Sequence, residues 1–112
     1  MDFDTYQVEV RRTAGRWESF SEQLAVLGLG IAGEAGEVAD IIKKVVGHRH
    51  ILDRDTLAGE LGDVLWYVAA MCDHLGVSIE SVAAANIEKL RKRYPDGFST
   101  ERSIARPDAE PK

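Results

Sequence analysis

Almost every residue between Asp4 and Arg93 falls in a stretch whose apolar positions recur at helical spacing, and no stretch alternates as a strand would. A chain with that pattern can bury its apolar surface only by packing helix on helix. The expected fold is therefore all-α, with a four-helix-bundle core. The first helix is expected from about Asp4 to Thr13, capped near Asp4 or Thr5, with a break at Ala14-Gly15-Arg16. The second is long, from about Ser19 to Val46, carrying Leu24, Leu27, Ile31, Val38, Ile41, Ile42 and Val45, with Gly47 as its stop. His48 to Arg54 is a polar connection, after which Asp53 or Asp55 caps a third helix reaching about Leu75 and ended by Gly76. Ser78 caps a fourth, running to about Tyr94, and Pro95-Asp96-Gly97 is a turn.

Two short motifs interrupt this apolar pattern. Glu34-Ala35-Gly36-Glu37 lies in the second helix and Glu60-Leu61-Gly62-Asp63 in the third. Residues three apart share a helix face, about 4.5 Å apart along the axis. Two such helices side by side would aim four carboxylates at one cleft, where they repel and are costly to desolvate. Either pair alone is an ordinary solvent-facing set of charges. Repeated on successive helices, among Gly, Ala, Val and Leu rather than basic partners, the pairs point to a hard divalent cation. Carboxylate-bridged di-iron bundles add a His three residues after a Glu. No candidate Glu here is followed by one, and His48, His50 and His74 lie away from the motifs. The all-oxygen set therefore favours Mg²⁺, with Mn²⁺ able to substitute.

The remaining features admit more than one role. Gly28, Gly30, Gly33 and Gly36 either allow close helix packing or leave room for metals and phosphates. The second half of the third helix, Trp66 to Cys72, is apolar nearly all round, which suits a core and also an oligomer interface. Tyr67 follows Asp63 by four residues and shares its face. Trp17 suits either base stacking or a hydrophobic staple. Asn86, Lys89 and Arg93 step along one face of the fourth helix, either as an ordinary basic helix end or as contacts to a phosphorylated substrate.

With 112 residues the chain has room for one domain, expected at 1–98, followed by a polar C-terminal tail at 99–112. Its net charge of −5, from 19 acidic against 14 basic side chains, argues against a nucleic acid polymer as partner. It leaves a nucleotide substrate open, because bound cations reverse the local charge. No apolar run is long enough for a membrane span and no signal peptide is evident, so a cytoplasmic protein without a membrane partner is expected. Cys72, the lone cysteine, reads as a small core residue.

Three segments together, Gly28 to Asp40, Glu60 to Tyr67 and Asn86 to Leu90, resemble the MazG-type nucleoside triphosphate pyrophosphohydrolases, an all-α group that includes dimeric dUTPases and dCTP pyrophosphatases. The resemblance covers roughly Tyr6 to Phe98. It implies a homodimer or homotetramer that cleaves an NTP or dNTP between the α and β phosphates, with dNTP the expected substrate. The products would be a nucleoside monophosphate and pyrophosphate, and the role nucleotide-pool control or house-cleaning. It implies Glu34, Glu37, Glu60 and Asp63 as catalytic metal ligands, Asn86 and Lys89 as nucleotide contacts and Tyr67 as pocket wall, with Arg93, Lys43 and Lys44 as further phosphate contacts. Some relatives carry an extra Glu just before the first motif Glu, where this chain has Gly33. The water's proton would then pass to a motif carboxylate, or a bound cation would acidify the water enough that it needs little help from a base. A rival from another class is a helical dimer that binds nucleotide or metal without turnover.

Overall fold

The computed structural model describes residues 1–109. Five helices account for its regular structure: α1 (Phe3–Val10), α2 (Phe20–Gly47), α3 (Arg54–Leu75), α4 (Ile79–Arg93) and α5 (Thr100–Ala105). The fold is all-α, and among the described residues no strand forms. The chain divides into two compact units, Met1–Ile79 and Glu80–Lys112, each described here by itself.

In the first unit α3 packs along α2, with α1 laid against α3. Their contact buries Val10, Leu27, Ala69, Ala70, Cys72 and Ile79, flanked by Tyr6, Leu65, Trp66, Tyr67, Val68 and Met71. Cys72 is thus in the core. Polar side chains set where the helices start. Asp2 accepts from the Thr5 amide, Ser19 from the Glu22 amide, and Asp53 from the Asp55 and Thr56 amides. The cap of α1 is therefore Asp2 rather than Asp4 or Thr5, and the helix begins and ends earlier than its sequence pattern suggests. Arg11, Arg12 and Thr13 continue as turns whose amides bond the carbonyls three residues back. The reversal after α3 follows expectation, with Gly76 at φ 73°. At the end of α2 the left-handed residue is Arg49, at φ 62°, and Gly47 is the last helical residue. The stop comes two residues later than expected, with the His50 amide returning to the Lys44 carbonyl.

One buried polar side chain ties the ends of this unit together. Gln7 donates to the Val77 carbonyl at 2.9 Å and to Asp73 at 3.3 Å, and accepts from the Ile79 amide at 2.7 Å. It thereby holds α1 to the α3–α4 turn and satisfies an amide at the start of α4. Arg11 reaches the same Asp73 carboxylate at 2.8 Å. The hydrogen bonds from Arg11 and then Gln7 keep the Asp73 pKa below the usual carboxylate range.

In the second unit the segment expected as a polar C-terminal tail, 99–112, contains a helix. Ser99 accepts from the Arg102 amide and starts α5, and Arg102 donates to the carbonyls of Lys92 and Arg93 at the end of α4. A six-residue helix is too short to leave a readable apolar period, which is why the pattern missed it. Residues 110–112 of that expected tail lie outside the described residues.

Candidate metal and nucleotide site

The acidic motifs meet where α2 and α3 lie side by side. One carboxylate oxygen from each of Glu34, Glu60 and Asp63 can be chosen so that all three lie within 4.8 Å of one another. Glu34 and Glu60 are half-buried and Asp63 is exposed. Desolvation raises the Glu60 pKa first, and the charges of Asp63, Glu34 and Glu37 raise it further. This is the repulsion foreseen from the motif spacing. The donor set is wholly oxygen and its spread is within a side-chain rotation of a common centre, which fits Mg²⁺ or Mn²⁺.

Glu37 is the departure from a four-carboxylate cluster. It lies one turn further along α2, is exposed, and stands outside the three-oxygen group. Its charge still acts on Glu60, and also on Lys44.

Beside the carboxylates is a cavity of about 320 Å³ lined by Thr13, Glu34, Asp63, Trp66 and Tyr67. Tyr67 thus stands with the acidic pairs, as its four-residue offset from Asp63 predicts. Gly30 explains how its ring fits. A methyl group built on Gly30 would overlap the Tyr67 ring, so close packing accounts for that glycine. Gly33 and Gly36 have open space around them, so close packing does not account for those two glycines. Trp66 meets Tyr67 edge-on, with centroids 4.9 Å apart and planes at 82°. Its indole Nε1 donates to Thr13 Oγ1 at 2.9 Å. Tyr6, on α1, is close enough to Asp63 that the carboxylate charge raises its pKa, second to burial.

Other candidates have different surroundings. Trp17 lies in the irregular stretch before α2, is 41 % exposed, and does not line this cavity. Lys44 is held by Asp40 at 2.7 Å and Lys43 reaches the same carboxylate at 3.2 Å, so both ammonium groups are already paired. Asn86 and Lys89 are exposed on α4, in the second unit. Arg93, in that unit, is mostly buried and paired with Asp108 at 3.1 Å. His74 is half-buried rather than on the surface, stacked on Phe20 at 4.2 Å and bonded to its carbonyl. Sequence reasoning gave Thr13 no functional role. Thr13 lies 53 residues from Trp66, and no periodicity marks such a pair.

Residues 22–98 match the MazG nucleotide pyrophosphohydrolase domain. A curated relative, the Gene 37 protein of Mycobacterium phage L5, is 37 % identical over 106 residues, which is 87 % of this chain and 92 % of the phage protein. No solved structure matches significantly. A match covering α3, α4 and nearly all of α2 takes in both acidic motifs, and the chain belongs to the MazG nucleotide pyrophosphohydrolase family.

Proposed function

We propose that this protein hydrolyses a nucleoside triphosphate, preferably a dNTP, between the α and β phosphates, releasing a nucleoside monophosphate and pyrophosphate. The observation that carries this reading is the convergence of Glu34, Glu60 and Asp63 beside the cavity walled by Tyr67, in a chain of this family. These three carboxylates would hold Mg²⁺ (or Mn²⁺), and Glu37 would join them from the next turn of α2. When bound, such a cation supplies charge neutralisation for the phosphates and a lowered pKa for water.

The chain's own residues divide the remaining work. The carboxylates orient the water for in-line attack on the α phosphorus, and one of them accepts its proton. Tyr67 and Trp66 exclude solvent on the side where the nucleoside lies. Asn86, Lys89 and Arg93 contact the nucleotide, and for Arg93 this requires release from Asp108. The exposed apolar side chains of α2 and α3 would be covered in a homodimer or homotetramer. The role served is control of the nucleotide pool in the cytoplasm.

The test is direct. Each NTP and dNTP is incubated with the protein and Mg²⁺, and products are resolved by anion exchange. Monophosphate and pyrophosphate in equal amounts are expected from at least one dNTP, with Asp63→Ala and Glu37→Ala at least 100-fold slower, on the order of a lost metal ligand. Binding of nucleotide without pyrophosphate release would identify a sensor instead, and full activity of Asp63→Ala would refute the site.

A further inference from the structure

We infer that Thr13 is a positioning residue for the nucleoside end of the substrate, acting through the indole of Trp66. This rests on the pyrophosphohydrolase reading above and adds a determinant that lies outside the acidic motifs. Three side chains from α3, Asp63, Trp66 and Tyr67, line the same cavity as Glu34 of α2, and Thr13 lines it from the turns that follow α1. The Trp66 Nε1–H is donated to Thr13 Oγ1 at 2.9 Å, and the Thr13 hydroxyl lies 3.4 Å from the Val10 carbonyl, to which it donates. The indole is therefore clamped at its polar edge, and its other side meets the Tyr67 ring edge-on.

The clamp has a chemical consequence. Trp has a single hydrogen-bonding group, an N–H donor. With that donor occupied by Thr13, the indole offers a substrate only an apolar, aromatic surface. Thr13 spends its proton on Val10 and one acceptor lone pair on Trp66. The indole face therefore suits the flat or apolar part of a nucleoside, while the carboxylates govern the phosphate end.

The experiment compares wild type, Thr13→Val and Thr13→Ser. Valine keeps the shape of Thr and removes the acceptor; serine keeps the acceptor. Steady-state kinetics are measured on the preferred dNTP and its NTP counterpart, with inorganic triphosphate as a competitive inhibitor that carries no nucleoside. The Trp66 indole N–H signal is followed by ¹H–¹⁵N NMR, assigned by its loss in Trp66→Phe. Thr13→Val is expected to raise KM for the dNTP about three- to tenfold, the size of one lost hydrogen bond. It should shift the indole signal upfield and leave the inhibition constant of inorganic triphosphate unchanged. Thr13→Ser should restore the wild-type KM and indole signal.

Equal rises for nucleotide and inorganic triphosphate would mean general damage to the site and overturn the inference. So would a shifted indole signal with unchanged KM. If Thr13→Val does not fold, Thr13→Ala, which also lacks the acceptor, decides it by the same KM and indole readouts, with Thr13→Ser expected to match wild type. Failure of the wild type to release pyrophosphate from any triphosphate refutes the enzymatic reading itself, a result distinct from an unchanged KM in an active Thr13→Val.

Discussion

At Gly30 a single hydrogen in place of a methyl group decides whether Tyr67 can stand beside the carboxylates. Gly30→Ala should improve helix propensity by about 1 kcal/mol and lose more than that, about 1–3 kcal/mol, by displacing the ring. A lower Tm and a raised KM are expected together. Gly36→Ala meets open space and should raise stability by up to about 1 kcal/mol, read as a higher Tm. If the space at Gly36 is needed by phosphate, the same variant loses activity while gaining Tm. Glu60 gives the opposite trade. Its ionised form is disfavoured in the fold, so its charge destabilises the protein at pH values above its raised pKa, and acidification through that pKa relieves the strain. Glu60→Gln should melt higher than wild type without divalent cation, and should gain less from added Mg²⁺. A thermal shift series with and without Mg²⁺ measures both.

The long helices α2 and α3 were largely legible, because each carries enough turns for its apolar period to show. Ser19, Asp53 and Gly76 act as their residue types predict. What was not legible is the connection between elements. Gln7 reads as one polar residue on a short helix, and only packing shows it buried and bonded to Asp73, Val77 and Ile79. Gln7→Ala should cost about 1–3 kcal/mol by leaving the Ile79 amide unpaired, checked by urea unfolding. Asp73 belongs to the same tie. Its depressed pKa means that its contribution to stability is full above the unfolded value of about 3.9 and is lost as pH falls through the lower folded value. In Asp73→Asn the decline in Tm below about pH 4 should be shallower than in wild type, with a lower plateau near neutrality. The capping of α5 by Ser99, and the pairing of Arg93 with Asp108, were hidden for the same reason: both are contacts of a short segment with no period of its own.

For the molecule as a whole, several large apolar side chains remain open to solvent, among them Leu29 at 73 %, Val46 at 74 % and Leu61 at 54 %. Covering them in an oligomer suits a 12.4 kDa chain whose own core is small. Light scattering is expected to give two or four times the chain mass, and a monomer at micromolar concentration would oppose the proposed assembly. No single described helix is long and apolar enough to cross a membrane. The helical class and the two acidic pairs, Glu34 with Glu37 and Glu60 with Asp63, could be read from the sequence, because periodicity and residue type act over a few turns of one helix. Only the tertiary structure decided that Glu37 stands apart from the other three, that Tyr67 needs Gly30, and that Thr13 holds Trp66. Those depend on which side chains packing brings together, and that is a property of the packed chain rather than of any segment within it.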